Sequence, residues 1–244
     1  MRKLFIFALA GFLAQLVDGS LGMGFGASSS SILLTFGVAP AIVSATVHFS
    51  EIATTAASGT SHWKFENVHY PTMLKLAIPG AISAFLGAAV LTSINANAIK
   101  PLIALFLLSM GVYILYQFIF KHMNDEHHYS GQFGRIRMVT QGAIAGFLDA
   151  IGGGGWGPVN TPLLLSSKKM EPRYVIGTVS ASEFFVTLSA SLSFIIFLGM
   201  THINWLAVIA LSAGGLIAAP ISAYLVKILP INILAICVLS LIHI

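Results

Sequence analysis

The sequence predicts an all-α polytopic membrane protein of two homologous, inverted repeats, each a broken, re-entrant helical hairpin followed by three spanning helices. Three observations predict it: apolar stretches of membrane length, a duplicated set of glycine-rich breaks and intramembrane acids, and an uneven spread of basic residues among the loops. Hydrophobic residues make up 57% of the chain and charged residues 8%. Soluble domains carry about 25% charged residues, so lipid is the solvent that fits this chain. The lone Cys237 excludes an internal disulfide and a cysteine metal cluster. The net charge of +4 reads as loop charge that sets orientation rather than a nucleic-acid footprint. No signal-peptide cleavage signature follows the Met-Arg-Lys start.

Apolar stretches fall near 4–17, 27–37, 41–61, 70–93, 98–120, 138–151, 158–166, 173–199, 203–226 and 231–244. A spanning helix needs roughly 20 residues. Two pairs are shorter, 4–17 with 27–37 and 138–151 with 158–166, and a glycine-rich break interrupts each. The most polar stretch, 121–137, reads as a linker between a first repeat over 1–120 and a second over 138–244.

A shift of 131 residues superposes the halves: Gly11 on Gly142, Asp18 on Asp149, Gly22, Gly24 and Gly26 on Gly153, Gly155 and Gly157, and Phe25 on Trp156. At a shift of 132, Pro40 meets Pro172, Thr46 meets Thr178, Glu51 meets Glu183 and Thr55 meets Thr187. Matching acids and prolines are costly coincidences in a membrane sequence. Duplicated halves with short, glycine-interrupted segments at equivalent places point to a transporter's binding site.

Basic residues choose between inverted and parallel repeats. If each short pair is a hairpin returning to its own side, each half crosses three times. Lys64, Lys75, Lys121, Arg135, Arg137, Lys168, Lys169, Arg173 and Lys227 then share one side, against Arg2, Lys3 and Lys100. If each pair is one broken span, the division is seven against five. The inverted arrangement gives the stronger bias. It places the linker in the cytoplasm and the N-terminus outside.

Four acids lie inside apolar sequence, Asp18, Glu51, Asp149 and Glu183. A charged group at membrane depth costs roughly 2.5–3.5 kcal/mol on insertion scales. These groups therefore face a cavity, pair with donors, or carry protons. Asp18 and Asp149 immediately precede the breaks, where they can cap the following helix. Proton handling suits Glu51 and Glu183 better. His48 lies three residues before Glu51 on one helical face, and reads either as part of a proton relay or as one satisfied hydrogen bond; its counterpart is Ser180. His127 and His128 read as solvated linker.

The breaks run Asp18-Gly-Ser-Leu-Gly-Met-Gly-Phe-Gly26 and Asp149-Ala-Ile-Gly-Gly-Gly-Gly-Trp-Gly157. A helix is expected to begin just after each, at Ala27-Ser28-Ser29-Ser30 and at Pro158-Val159-Asn160-Thr161. Helix N-termini attract anions through free amides and the positive dipole end. Glycine lets backbone approach a ligand. The expected site for a small anion is Gly22, Gly24, Gly26, Ser28 and Ser29 from one half, and Gly153, Gly155, Trp156, Gly157, Asn160 and Thr161 from the other. Phe25 and Trp156 read equally as gates or as packing. No cofactor is expected, the expected partners are a small anion and the bilayer, and the sequence leaves oligomeric state open.

The stretch Gly-Phe-Leu-Asp-Ala-Ile-Gly-Gly-Gly-Gly-Trp-Gly-Pro, with Pro162-Leu-Leu-Leu and Gly177-Thr-Val-Ser-Ala-Ser-Glu183 after it, resembles the TauE/SafE sulfite exporter family. Asp18 to Gly26 and Ser44 to Glu51 form a looser first copy. The resemblance implies a bacterial inner-membrane permease for sulfite, sulfonates or related sulfur-containing anions. Ser28 to Ser31 depart from the second half's Val-Asn-Thr-Pro. The second half is expected to stop about ten residues short of its last helix, by the 1.5 Å rise per residue. Its final six residues, Leu239-Ser-Leu-Ile-His-Ile244, match the translation of a common transposon adapter.

Three functions compete at this stage: proton-coupled secondary transport, an uncoupled anion channel, and an intramembrane enzyme built on His48, Glu51 and the two aspartates. The chain has no His-Glu-x-x-His pair and no Gly-x-Ser-x-Gly turn, which counts against the enzyme.

Overall fold

The computed structural model describes residues 2–120 and 133–228. Most of the linker, with His127 and His128, and the end of the chain, with Cys237 and the terminal hexapeptide, lie outside them. The described residues form the α-helices α1 (Arg2–Leu21), α2 (Phe25–Thr35), α3 (Pro40–Lys64), α4 (Tyr70–Ser93), α5 (Ala96–Phe120), α6 (Arg135–Gly152), α7 (Trp156–Ser166), α8 (Pro172–Phe197) and α9 (Trp205–Ile228), and no strand occurs among them. Five contain apolar segments long enough to cross a membrane: Leu4–Leu21, Tyr70–Ser93, Ala96–Tyr113, Pro172–Phe197 and Trp205–Ile228. The 25-residue α3 is long enough by length. Its polar residues, among them Ser44, Thr46, His48, Ser50 and Glu51, lower its hydropathy and are buried in the protein. The outward faces of α4, α5 and α9 instead show Ile78, Ile82, Leu105, Leu108, Leu206 and Ile209.

Both expected breaks are present, and both turn the chain back on itself. Gly22 and Gly153 adopt φ of 69° and 68°. That is the left-handed region glycine enters without a Cβ penalty. Each N–H closes the preceding helix on the carbonyl of Asp18 or Asp149, at 2.6 Å in both cases. In the second half Arg137 Nη2 donates to the Leu163 carbonyl at 3.2 Å, and Gln141 Nε2 donates to Asn160 Oδ1 at 3.0 Å. The start of α6 therefore lies beside the end of α7, as only an antiparallel hairpin allows. In the first half the rings of Phe7 and Phe36 meet at 5.7 Å, in the same sense.

Positions matched between the halves in sequence also resemble one another in backbone and packing. Gly37 and Lys168, 131 residues apart, both have positive φ, at 77° and 53°. The most extensive contacts join α1 to α9 and α4 to α6. These are equivalent pairs, since α1 corresponds to α6 and α4 to α9. Small residues permit the approach: a Cβ at Gly11 would meet the Leu211 carbonyl, and one at Gly142 the Leu76 carbonyl. The helices α3 and α8 pack together at the centre, joined by the Ser58 and Ser180 hydroxyls at 2.7 Å.

Candidate functional site

The two hairpin tips cross inside the bundle. Ser30 Oγ donates to the Gly153 carbonyl at 2.5 Å, and Thr161 Oγ1 donates to the Gly22 carbonyl at 2.5 Å. Ser30 corresponds to Thr161, and Gly22 to Gly153, so one contact is the symmetry mate of the other. Segments 22–30 and 153–161 therefore run antiparallel. The glycines make the crossing close. A Cβ at Gly26 would lie 2.6 Å from Gly154 Cα, and one at Gly157 would lie 2.6 Å from Met23 Cα. Gly155 serves its own hairpin, with its Cβ position 2.8 Å from the Asp149 amide nitrogen.

Asp18 and Asp149 cap the helices that follow them. Asp149 Oδ1 accepts from the amides of Gly155 and Trp156 at 2.8 and 3.0 Å. Asp18 Oδ1 accepts from the Phe25 amide at a longer 3.4 Å. The first amides of α2 and α7, read from sequence as open to an anion, thus meet the protein's own carboxylates. Two unpaired side-chain donors lie one turn further on. Ser29 Oγ and Asn160 Nδ2, themselves repeat equivalents, are buried and unpaired. Ser28, by contrast, is exposed.

All four intramembrane acids are buried, and they gather within electrostatic reach of one another. Both carboxyl oxygens of Glu51 lack a hydrogen-bond partner. One side-chain nitrogen or oxygen from each of His48, Glu51 and Asp149 lies within 4.8 Å of the other two. Two of the three are engaged inside the protein, since His48 Nε2 and Asp149 Oδ2 pair at 3.2 Å. Only the Glu51 oxygens stand open. His48 thus reaches Asp149 on the other half, in addition to sharing a helical face with Glu51. No Lys or Arg is buried among the described residues.

Phe25 and Trp156 are packed. Trp156 is fully buried and donates Nε1–H to the Val179 carbonyl at 3.1 Å. Its ring occupies the space a Cβ on Gly80 would need. The equivalent Gly215 lies against Thr54 and the Phe25 ring.

Sequence reading passed over Gln15, which is fully buried with both amide atoms unpaired. Its signal was available, as a glutamine one turn before Asp18 on the same face of an apolar helix. It also passed over His62, whose Nε2 donates to the Gly19 carbonyl at 3.1 Å while Nδ1 faces the Asn67 amide at 3.2 Å.

Re-entrant hairpins crossing within apolar spanning helices, with buried acids around the crossing, are the architecture of a multi-pass membrane transporter. The chain belongs to the sulfite exporter TauE/SafE family, whose sequence pattern matches residues 7–244. It is 52% identical over 227 residues to "Probable membrane transporter protein YtnM" of Bacillus subtilis (strain 168), covering 93% of this chain and 76% of that protein. No solved structure matches it.

Proposed function

We propose that this transporter is a secondary permease for small sulfur-containing anions such as sulfite or organosulfonates, coupled to protons and placed in the bacterial inner membrane with its repeats inverted. The supporting observation is the pair Ser29 and Asn160, equivalent neutral donors buried without partners beside the two crossing breaks. A buried donor left unpaired costs about 1–3 kcal/mol. A solute with several acceptor oxygens removes that cost in both halves. Sulfite and sulfonates present such oxygens, and the family's name supports the choice.

Proton coupling follows from charge. An anion entering a buried site with four carboxyl groups, and with no buried Lys or Arg among the described residues, meets repulsion that bound protons relieve. Inversion is supported by the hairpins, which return each half to its side of entry, and by the antiparallel crossing. Lys227 and Lys169, which the inverted arrangement assigns to one side, lie over the rings of Phe65 and Phe133.

Purified protein in liposomes tests this reading. Sulfite accumulation that follows an imposed pH gradient is the expected result. Passive sulfite flux indifferent to the gradient would make the protein a channel. Turnover of a lipid or peptide without anion flux would make it an enzyme.

A further inference from the structure

We infer that His48 and Asp149 form the proton-binding site of this chain, holding one proton between His48 Nε2 and Asp149 Oδ2 that locks the second hairpin to α3. Its role in coupling rests on the transport reading above; the presence of the proton does not.

The argument begins at the other ring nitrogen. His48 Nδ1 lies 2.8 Å from the Ser44 carbonyl oxygen, which can only accept, so Nδ1 carries a hydrogen. The Ser44 hydroxyl is 3.3 Å from the same nitrogen, but its single proton goes to the Ala150 carbonyl at 2.6 Å. In a neutral ring Nε2 is then the bare nitrogen, with its lone pair toward Asp149 Oδ2 at 3.2 Å. A lone pair against a carboxylate at that distance, with both residues buried, is repulsive. One proton between them removes the repulsion. It makes either an imidazolium beside a carboxylate or a neutral ring accepting from a carboxylic acid. Both forms hold the same single proton.

The proton is tied to the hairpin because Asp149 has a second task. Its Oδ1 caps α7 through the Gly155 and Trp156 amides. Ser44 to Ala150 and Ser30 to Gly153 complete the seam that joins α3 and α2 to the tip of the hairpin. Losing the proton sets a bare nitrogen against a carboxylate, and the carboxylate that withdraws takes the α7 cap with it. The titratable groups near the pair are Glu51 from its own helix α3, Asp18 from α1 and Glu183 from α8. The helices α2 and α7 contribute none. The first half has no copy of this site. Ser180 stands in the place of His48 and pairs with Ser58, and Asp18 keeps only the longer cap to Phe25.

Asp149→Asn separates the proton from the fold. The asparagine oxygen keeps the cap, and its amide donates to His48 Nε2 as a protonated aspartate would. Protein labelled with 15N-histidine, in lipid nanodiscs, is read by solid-state NMR, with His48→Gln assigning the signal. The expected wild-type spectrum at neutral pH shows His48 protonated at Nδ1 and sharing a proton at Nε2. In D149N the expected His48 at the same pH is a plain neutral ring whose Nε2 carries no proton. A wild-type ring bare at Nδ1, or a His48 signal unchanged by D149N, overturns the inference whatever solute is carried. In proteoliposomes with sulfite as probe, D149N is expected to reduce accumulation driven by a pH gradient at least about tenfold more than it reduces sulfite–sulfite exchange. Equal losses in the two assays would remove the coupling role. If wild-type protein moves no sulfite, the substrate reading fails, and the NMR result alone decides the proton.

Discussion

Ser30 donates its hydroxyl to the carbonyl of Gly153 at 2.5 Å, across 123 residues of sequence. Thr161 repeats the contact on Gly22 at the same distance. Each hairpin thus holds the other by the carbonyl of the glycine that makes its turn. The crossing ties the two halves together.

Gly26→Val is expected to destabilise the protein by more than the 1–3 kcal/mol typical of overpacking, because the nearest atoms to its Cβ position are backbone of Gly154 and Gly153, with Glu51 Oε1 next at 2.9 Å. Gly111→Ala is the control. Nothing lies within 4 Å of its Cβ position, and α5 is helical there, so a gain of about 0.5–1 kcal/mol is expected. Thermal unfolding in detergent compares the two, and equal melting temperatures would show that the crossing is not tight.

Ser29→Ala should leave the melting temperature within a degree or two, a shift of about 0.5 kcal/mol or less. Ser29 Oγ has no internal hydrogen bond to lose, whereas Asn160→Ala also removes the Oδ1 that accepts from Gln141 Nε2 at 3.0 Å and should cost about 1–3 kcal/mol. Each should raise the apparent KM for anion by roughly tenfold or more, since a hydrogen bond to a charged group contributes about 1.5–3 kcal/mol. Unfolding without change in KM would assign both residues to packing.

Trp156→Ala empties a fully buried site and breaks the bond to the Val179 carbonyl. A loss of about 3–5 kcal/mol is expected. Trp156→Phe with Gly80→Ala should recover part of it, because the Gly80 Cβ position lies against the outer edge of the indole. A W156A protein of normal stability with leaky anion flux would point to a gate instead.

Glu51→Gln and Glu183→Gln are expected to flatten the pH dependence of sulfite flux before they abolish binding. Glu51→Gln should have the larger effect, since both Glu51 oxygens stand open beside His48 and Asp149. Flux measured across a pH series decides this, and an unaltered profile in both variants removes these acids from proton handling.

Inversion of the repeats is tested by labelling. Gly37 and Lys168 are equivalent turn residues of positive φ. Single cysteines at these positions, in a Cys237→Ser background, should react with a membrane-impermeant thiol reagent from opposite sides of the cell membrane. Labelling from one side at both positions would establish parallel repeats.

The membrane class, both breaks and the four buried acids were legible in the amino-acid sequence. Each of these is written in local composition or in matched spacing. The breaks at Gly22 and Gly153 were legible because no other residue type enters positive φ so readily. Tertiary structure decided what those groups face. Ser30 finds Gly153 and His48 finds Asp149 only because the second half folds against the first, and a hydrogen bond between halves leaves no trace in local pattern. It also decided that Asp149 spends one oxygen on the Gly155 and Trp156 amides, and that Ser29 Oγ and Asn160 Nδ2 stay unpaired one turn further on. The physical reason is that a buried polar group's state depends on its partner, and partners here are supplied from a hundred or more residues away.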